Sequence, residues 1–438
     1  MEIYMDNNEN MRDKAVLVGI VGRGESEEEL HKSLDELERL LDTAGGEAIA
    51  RLTQNKDTPD PRTLIGSGKA AELAYLCACN DATLVVFDCD LSPSQIRNIE
   101  DIVGDKVRVI DRSMLILDIF ALHAVSGEGK LQVELAQLKY TAPRLVGHGE
   151  DMSRLGGGIG TRGPGESKLE SDRRHMKRRI NSLEAQIAEM DKNRSTMRAS
   201  RDRSGIVKIA IVGYTNAGKS TLLNRMTDAG ILAEDKLFAT LDPTTRKYDL
   251  PCGESVLLTD TVGFINKLPH HLVSAFRSTL EEACYADILL IIIDASDPEF
   301  RTRLEVTENL LTELGAGGKP TIYAFNKCDL GVAEFAGIGM KAKENVVYIS
   351  AKTGQGMNLL VAKIEELVLN GKKRITYHSP NSDAGALNTL YRLANVEDVE
   401  YGHEYIKVTA LADAKARGIM RKYAVDDEIE KKDEDDWD

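Results

Sequence analysis

The sequence contains no long hydrophobic run. Its longest aliphatic stretch covers residues 288–293 and closes at Asp294, far short of the roughly 20 residues that a membrane-spanning helix needs. We therefore expect no integral membrane segment and interpret the run as a buried strand. The acidic and polar residues 1–10 also lack the basic and then apolar pattern of a signal peptide. These absences predict a cytoplasmic protein.

Cysteine is scarce and dispersed. The chain has six cysteines among 438 residues, and only Cys77 and Cys79 lie close together. No second pair completes a zinc site, and scattered thiols of this kind are typical of reduced proteins in the cytosol.

Positive charge is in short supply overall. The formal net charge of −15 argues against a general nucleic-acid binder. Its distribution is uneven, because residues 139–203 carry 15 lysines and arginines against 9 acids, whereas residues 426–438 carry 9 acids against 2 lysines. The basic stretch is either a binding surface or an ordinary solvated helix, and charge alone does not decide. The acidic end is expected to be disordered.

Alternating apolar strands and amphipathic helices predict an α/β protein of four parts. Residues 1–138 are interpreted as a small α/β domain, and one helical pattern over residues 113–140 runs across its end. Residues 139–203 are interpreted as a basic helical subdomain, a helical hairpin or coiled coil with a glycine-rich loop. Residues 204–373 predict a doubly wound parallel sheet with its chemistry at the carboxyl ends of the strands. Residues 374–438 predict a small C-terminal α/β domain with an acidic tail.

A phosphate-binding motif, GYTNAGKS, lies between an apolar strand and a helix in the third part. Its backbone N–H groups would surround the β-phosphate, Lys219 would reach the β- and γ-phosphate oxygens, and the Ser220 hydroxyl would bind Mg²⁺. This context predicts a P-loop domain. The nucleotide-contacting residues predicted from it are Gly213, Tyr214, Thr215, Asn216, Ala217, Gly218, Lys219, Ser220 and Thr221.

A second motif of nucleotide hydrolases, Asp260-Thr261-Val262-Gly263, ends the next apolar strand. Asp260 would hold Mg²⁺ through a water molecule, and the Gly263 N–H would sense the γ-phosphate.

Between these motifs lies a segment that would approach the nucleotide only when triphosphate is bound. Thr240 is the candidate for the second protein oxygen on Mg²⁺, with Thr244 and Thr245 as competitors. Together with Lys219 and Gly263, Thr240 is a catalytic candidate. The predicted contact residues of the segment are Phe238, Ala239, Thr240, Leu241 and Asp242.

The residues that would read the base predict guanine. Asn326-Lys327-Cys328-Asp329 follows another strand, and the Asp329 carboxylate can accept two N–H bonds from guanine. Adenine has no donor at its position 1, so ATP would leave this carboxylate unpaired. Ser350-Ala351-Lys352 follows the next strand and would offer a backbone contact to the guanine carbonyl. The predicted substrate is GTP.

Phe264 follows Gly263, where many nucleotide hydrolases carry a polar side chain that orients the attacking water. A benzyl group cannot do so, which predicts slow intrinsic hydrolysis. A partner that places the water and adds positive charge could restore a factor of about 10³–10⁵. A catalytic role of His270 or His271 and a packing role both stay open.

The motifs above, together with LGGGIGTRGPGES at 155–167, KLQVELAQLKYTAPRL at 130–145 and DTVGFINKLPHHLVSAF at 260–276, resemble HflX, a family of ribosome-associated GTPases. The resemblance spans roughly residues 14–370. It implies GTP and Mg²⁺ binding, docking on the large ribosomal subunit and its ribosomal RNA, and help in splitting stalled or idle ribosomes. It also implies a hydrophobic residue at 264, and a monovalent cation, K⁺, at Asn216. We expect a monomer.

Two other functions stay open at this stage. The first is an ATP- or GTP-driven RNA-remodelling enzyme whose first domain would bind ATP. Residues 64–69 loosely resemble a phosphate loop, but the match is short and common, and nothing between Lys14 and Gly127 forms a convincing ATP site. The second is a transfer-RNA modifier that uses GTP as a conformational clock, although no cysteine lies in an obviously activating context.

Overall fold

The structure is a computed structural model that describes residues 12–143, 164–202, 206–227, 237–238, 243–266, 282–331, 345–370, 373–412 and 414–425. The chain divides into two compact units, one formed by residues 1–248 and 257–356 and the other by residues 249–256 and 357–438. No helix within the described ranges is long and apolar enough to cross a membrane.

The first unit begins with an α/β domain built on a four-stranded parallel sheet, in the order β2-β1-β3-β4. Local signals set its helix starts: Ser26 and Ser92 each accept a backbone N–H of the first turn, and Pro93 occupies the first helical position of α3. The elements are β1 (Lys14–Val21), α1 (Glu27–Thr43), β2 (Glu47–Asn55), α2 (Ser67–Cys79), β3 (Leu84–Phe87), α3 (Pro93–Val103) and β4 (Arg108–Asp111).

Three helices follow, where the sequence predicts one helical pattern over residues 113–140 and a second, charged helix. The first pattern is in fact two helices, α4 (Arg112–His123) and α5 (Gly127–Thr141). The prediction of one continuous pattern is wrong at residues 124–126, because Ser126 accepts the Gly129 N–H and caps α5. The third helix, α6, covers Pro164–Asp202.

Helices α5 and α6 pack against each other. Leu183 of α6 is fully buried, and Arg179 makes two hydrogen bonds to the Glu134 carboxylate of α5, each of 2.7 Å. Lys139 forms a further ion pair with Glu184, at 2.7 Å. The buried Leu183 and these two ion pairs hold α6 against α5. The glycine-rich loop before residue 164 lies outside the described residues.

The predicted doubly wound sheet is confirmed, with six strands in the order β10-β9-β8-β5-β7-β6 and parallel pairing among β5, β8, β9 and β10. The polar strand β6 was not predicted, because its TTRKYD sequence has no apolar alternation. The elements are β5 (Val207–Gly213), α7 (Lys219–Thr227), β6 (Thr244–Asp249), β7 (Ser255–Asp260), β8 (Ile288–Asp294), α8 (Phe300–Glu313), β9 (Thr321–Asn326) and β10 (Val346–Tyr348).

The second unit contains a three-stranded antiparallel sheet in the order β11-β13-β12. Its core packs Tyr377, Leu390 and Val408, each fully buried. The acidic residues 426–438 lie outside the described residues. The elements are α9 (Met357–Leu369), β11 (Lys373–Pro380), α10 (Ala384–Leu393), β12 (Asn395–Tyr401), β13 (Tyr405–Ala412) and α11 (Ala414–Met420).

Candidate nucleotide site

The loop between β5 and α7 requires glycine at both ends. Gly213 has a φ of 148°, and a Cβ there would fall on the Ile292 carbonyl oxygen of β8. Gly218 has a φ of 95°, and its Cβ would fall on the Asn326 amide. The loop thus lies close to the backbone of β8 at one end and to the Asn326 side chain at the other, and both glycines have a positive φ that L side chains rarely adopt. Asn216, between the glycines, is exposed with a left-handed φ of 60°.

Lys219 begins α7 and turns its side chain back over this loop. Its Nζ donates to the Tyr214 carbonyl at 2.9 Å and to the Gly213 carbonyl at 3.3 Å. Burial lowers the pKa of Lys219 to about 8, although the Asp260 carboxylate opposes the shift. The ammonium group is therefore held in the bend of the loop, where a phosphate would be its strongest partner.

Two oxygen groups meet beside the loop. The Ser220 Oγ donates to the Asp260 Oδ2 at 2.7 Å, and Asp260 is fully buried at the end of β7. A hydroxyl and a carboxylate suit Mg²⁺, which prefers oxygen ligands, so these residues fit the ion. The other metal candidate, Thr240, lies outside the described residues, as do Ala239, Leu241 and Asp242.

Both competitors of Thr240 lie in the polar strand β6. Thr245 makes a 3.0 Å side-chain hydrogen bond with Thr259 of the neighbouring strand. Its hydroxyl is thereby engaged within the sheet. The neighbouring Thr244 is half-buried in the same strand.

Gly263 lies directly against the phosphate loop. A Cβ at this position would be 2.8 Å from the Lys219 Nζ and 2.7 Å from the Thr215 methyl group. Glycine is therefore the residue that allows the segment after β7 to reach the loop. The preceding Thr261 is fixed below it, with its Oγ1 donating to the Ile211 carbonyl at 2.8 Å, and Val262 is buried.

The Phe264 side chain lies in the interior of the unit. Its ring is only 1% exposed and belongs to the hydrophobic core of the unit. Its backbone pairs with the loop, since its N–H donates to the Gly213 carbonyl at 3.1 Å and its carbonyl accepts the Thr215 N–H at 2.8 Å. The backbone of Phe264 is thus hydrogen-bonded to the loop, and its ring is fixed in the core. The side chain has no polar atom that could bind a water molecule. His270 and His271 lie outside the described residues.

The predicted base-reading residues converge on the same loop. Asn326 joins them, since its Nδ2 donates to the Ala217 carbonyl and its Oδ1 accepts the Ala351 N–H, both at 2.8 Å. The Ser350 Oγ donates to the Asp329 Oδ1 at 2.6 Å, which orients that carboxylate. Lys327, at a left-handed φ of 65°, pairs with Asp294 at 2.9 Å. Cys328 is half-buried and Lys352 exposed.

The phosphate-loop resemblance in the first domain has a different setting. Gly66 precedes α2, and its N–H donates to the Gln54 side chain at 2.9 Å. Lys69 pairs with Glu72 of its own helix at 2.9 Å. Its ammonium is therefore directed along the helix surface and does not turn back over a loop as Lys219 does.

Sequence reasoning missed three residues around Tyr214. The Tyr214 hydroxyl donates to Glu36 of α1 and accepts the Asn266 N–H at 2.6 Å, while Arg112 of α4 binds both Glu36 and the Asn266 carbonyl. An arginine at the junction of an apolar strand and an apolar helix was the one available signal, because such a side chain becomes buried and needs carboxylate partners.

Comparisons with known proteins show which family the chain resembles. Family models match three consecutive parts of the chain, described as GTP-binding GTPase N-terminal (residues 31–121), GTP-binding GTPase Middle Region (residues 123–201) and 50S ribosome-binding GTPase (residues 208–327).

Relatives that align with this chain over more than nine-tenths of their length include proteins named GTPase HflX. A "GTPase HflX" of Lacrimispora saccharolytica is 48% identical over 400 residues, which is 91% of this chain and 93% of the relative. A "GTPase HflX" of Caldanaerobacter subterraneus subsp. tengcongensis is 46% identical over 94% of each chain. Among solved structures, a GTP-binding protein from Sulfolobus solfataricus in complex with GDP is 26% identical, with a TM-score of 0.44 over 82% of this chain and 99% of that one.

Proposed function

The chain belongs to the HflX family of GTPases and hydrolyses GTP, and we propose that it is a Mg²⁺-dependent enzyme that binds the large ribosomal subunit in the cytoplasm and promotes the dissociation or rescue of stalled or idle ribosomes. In this proposal the GTP form is competent to bind, and hydrolysis, activated by the ribosome, leads to release.

The buried position of Phe264 is the observation that supports activation by a partner. The ring packs in the core, so no side chain directly after Gly263 can orient a water molecule. Correct placement of that water and an added positive charge together contribute a factor of about 10³–10⁵ in enzymes of this type. In this proposal a partner supplies much of that factor.

The residues beside the loop support the proposed cofactors. Ser220 would bind Mg²⁺ directly and Asp260 through water, with Thr240 as the proposed second direct ligand. When bound, the ion neutralises charge that develops on the phosphates. Lys219 would hold the β- and γ-phosphates and Gly263 would donate its N–H to the γ-phosphate. The exposed Asn216 would hold K⁺ beside the phosphates.

The helix α6 supports contact with ribosomal RNA despite the acidic total charge. Arg173 and Arg178 are exposed on it. Arginine side chains bind phosphates, and recognition of folded RNA depends largely on such backbone contacts. Arg179 differs from these two, because its guanidinium is already bound by Glu134.

The first test is the rate of GTP hydrolysis in potassium buffer, with and without purified large ribosomal subunits. We expect a rise of about 10³-fold or more, as the ribosome completes a site that Phe264 leaves incomplete. Small subunits at the same concentration are the matched control and should leave the rate unchanged. A slow rate that large subunits do not alter would contradict ribosomal activation. A fast rate without any partner would mean that a side chain of this chain positions the water.

A further inference from the structure

The phosphate loop is physically connected to the N-terminal domain through Tyr214. The Tyr214 side chain is buried, and its hydroxyl serves two partners at once. It donates to the Glu36 carboxylate of α1, and it accepts the Asn266 N–H at 2.6 Å. Burial, reinforced by the charge of Glu36, raises the pKa of Tyr214, so the hydroxyl keeps the proton that it donates.

Arg112 of α4 binds the same glutamate and the same residue, Asn266, that Tyr214 binds. Its Nη2 donates to Glu36 and, at 3.1 Å, to the Asn266 carbonyl, while its Nη1 donates to Asp88 at 2.8 Å. The Ser33 hydroxyl donates to the second oxygen of Asp88 at 2.6 Å. Arg112 is 2% exposed and Asp88 is 3% exposed, so the ion pair between them is in the interior, where competition from water is weak.

Both backbone polar groups of Asn266 are therefore hydrogen-bonded, and Glu36 contacts both of the side chains that bind them. The N–H is bound by a tyrosine that Glu36 orients, and the carbonyl by an arginine that Glu36 also binds. Asn266 lies three residues after Gly263, and the intervening Phe264 is paired with the loop on both sides. The Asn266 contacts are thus a second restraint beside the Phe264 pairing, and their loss would leave the segment that carries Gly263 less firmly placed relative to the γ-phosphate.

We propose that Glu36 is a positioning residue for GTP hydrolysis. Through Tyr214 and Arg112 it helps to fix the position of Gly263, whose N–H would bind the γ-phosphate. Binding of the γ-phosphate and the contacts of the N-terminal domain are thereby coupled. GDP has no γ-phosphate, so its binding does not use Gly263. The arrangement thus contributes to GTP binding and hydrolysis selectively. By reciprocity, binding of GTP stabilises the contact between the N-terminal domain and the loop.

A second contact points in the same direction. Phe238 lies at the start of the segment that includes Thr240, and its ring packs edge-to-face on Phe120 of α4 with 4.7 Å between centroids. Both rings are buried. The N-terminal domain therefore contacts each of the two segments that a triphosphate is expected to order, one by an aromatic pair and the other through Glu36.

The test uses the full-length chain without ribosomes, so its outcome does not depend on the proposed ribosomal function. Tyr214→Phe removes the hydroxyl and keeps the ring beneath the Arg303 guanidinium, which lies 5.0 Å from the ring centroid. Glu36→Gln keeps the shape of the acid and removes its charge. For each variant, titration calorimetry gives the affinity for GDP and for guanosine 5′-(β,γ-imido)triphosphate, and a single-turnover experiment gives the rate of hydrolysis.

Each single variant should bind the triphosphate analogue about three- to tenfold more weakly and hydrolyse GTP more slowly, with GDP affinity unchanged, as for the loss of one buried hydrogen bond. The double variant should resemble the singles, since both interrupt the same connection. A general loss of stability would weaken both nucleotides together and leave their ratio constant.

Lys32→Gln is the matched control. Lys32 forms a 3.0 Å ion pair with Glu299 between the same two domains but touches neither Tyr214 nor Asn266. It should leave the ratio of the two affinities unchanged. A constant ratio in Tyr214→Phe and Glu36→Gln would overturn the proposal, as would an equal change of the ratio in Lys32→Gln or strict additivity in the double variant.

Discussion

Replacement of Phe264 by glutamine separates two explanations of slow hydrolysis. If the side chain at 264 faced the γ-phosphate, Phe264→Gln would install the missing water-orienting amide and accelerate hydrolysis. The structure buries the ring to 1% exposure among core residues, so we expect no acceleration. Instead the variant should lose stability, because truncation of a buried phenylalanine costs about 3–5 kcal/mol. A buried amide without full hydrogen bonding adds about 1–3 kcal/mol, partly offset by the volume that glutamine still fills.

The measurement pairs urea unfolding with single-turnover hydrolysis on the same preparation. Phe264→Leu is the matched control, since it preserves apolar volume and should cost no more than about 1.5 kcal/mol with the hydrolysis rate unchanged. The reasoning would be refuted by a glutamine variant that hydrolyses GTP at least tenfold faster than the parent and unfolds at nearly the same urea concentration. Both properties together would require a side chain exposed to the nucleotide.

Three further outcomes are expected from the site and from α6. Asp329→Asn should lower GTP affinity by roughly 10²-fold or more, since the carboxylate accepts two charge-assisted bonds from guanine, each worth about 1.5–3 kcal/mol. Xanthosine triphosphate should recover binding, and equal GTP affinity would contradict the base assignment. Arg173→Gln with Arg178→Gln should reduce the slope of log affinity for large subunits against log salt by about 1.4–1.8. The equally charged pair Arg62→Gln with Lys106→Gln, exposed in the first domain, should not alter that slope. Hydrolysis should be faster in potassium than in sodium buffer, and Asn216→Ala should abolish the difference; equal rates in the parent chain would exclude the cation site.

The elements that local sequence specifies were predictable. Ser92 and Pro93 define the start of α3 within one turn, and the structure places the capping bond there. The apolar strand β5, followed by the glycines of the phosphate loop and a helix, is equally local, so the P-loop fold was evident. By contrast, β6 is polar and carries no periodic signal, and the break between α4 and α5 is concealed by helical patterns on both sides of Ser126.

The parts of the site that were not predictable depend on pairing across the sequence. The Tyr214 hydroxyl meets a carboxylate 178 positions away, and Arg112 meets the Asn266 carbonyl 154 positions away. Sequence motifs define which residues can contact nucleotide, because phosphate chemistry restricts their types and spacing. They do not define what holds those residues, since many different side chains can support a loop from behind.

The buried charge of Arg112 should be far more costly to remove than an equivalent charge at the surface. Burial alone would lower the pKa of Arg112, but Glu36 and Asp88 outweigh it and the net shift is upward, so the guanidinium stays charged. Arg112→Met would leave the buried Asp88 and the half-buried Glu36 without their counter-charge, at a cost of about 3–5 kcal/mol. Arg51 also has two carboxylate partners, Asp35 and Glu38, but it is partly solvated.

Arg51→Met should therefore cost only about 0–1 kcal/mol in the same urea unfolding measurement. Comparable losses in the two variants would mean that the interior ion pairs are as solvated as the surface ones, and that Arg112 does not hold Asn266 rigidly. A large loss confined to Arg112→Met is the outcome expected if one arginine fixes both Glu36 and the segment after Gly263. In that case the N-terminal domain is part of the structure that presents the nucleotide site.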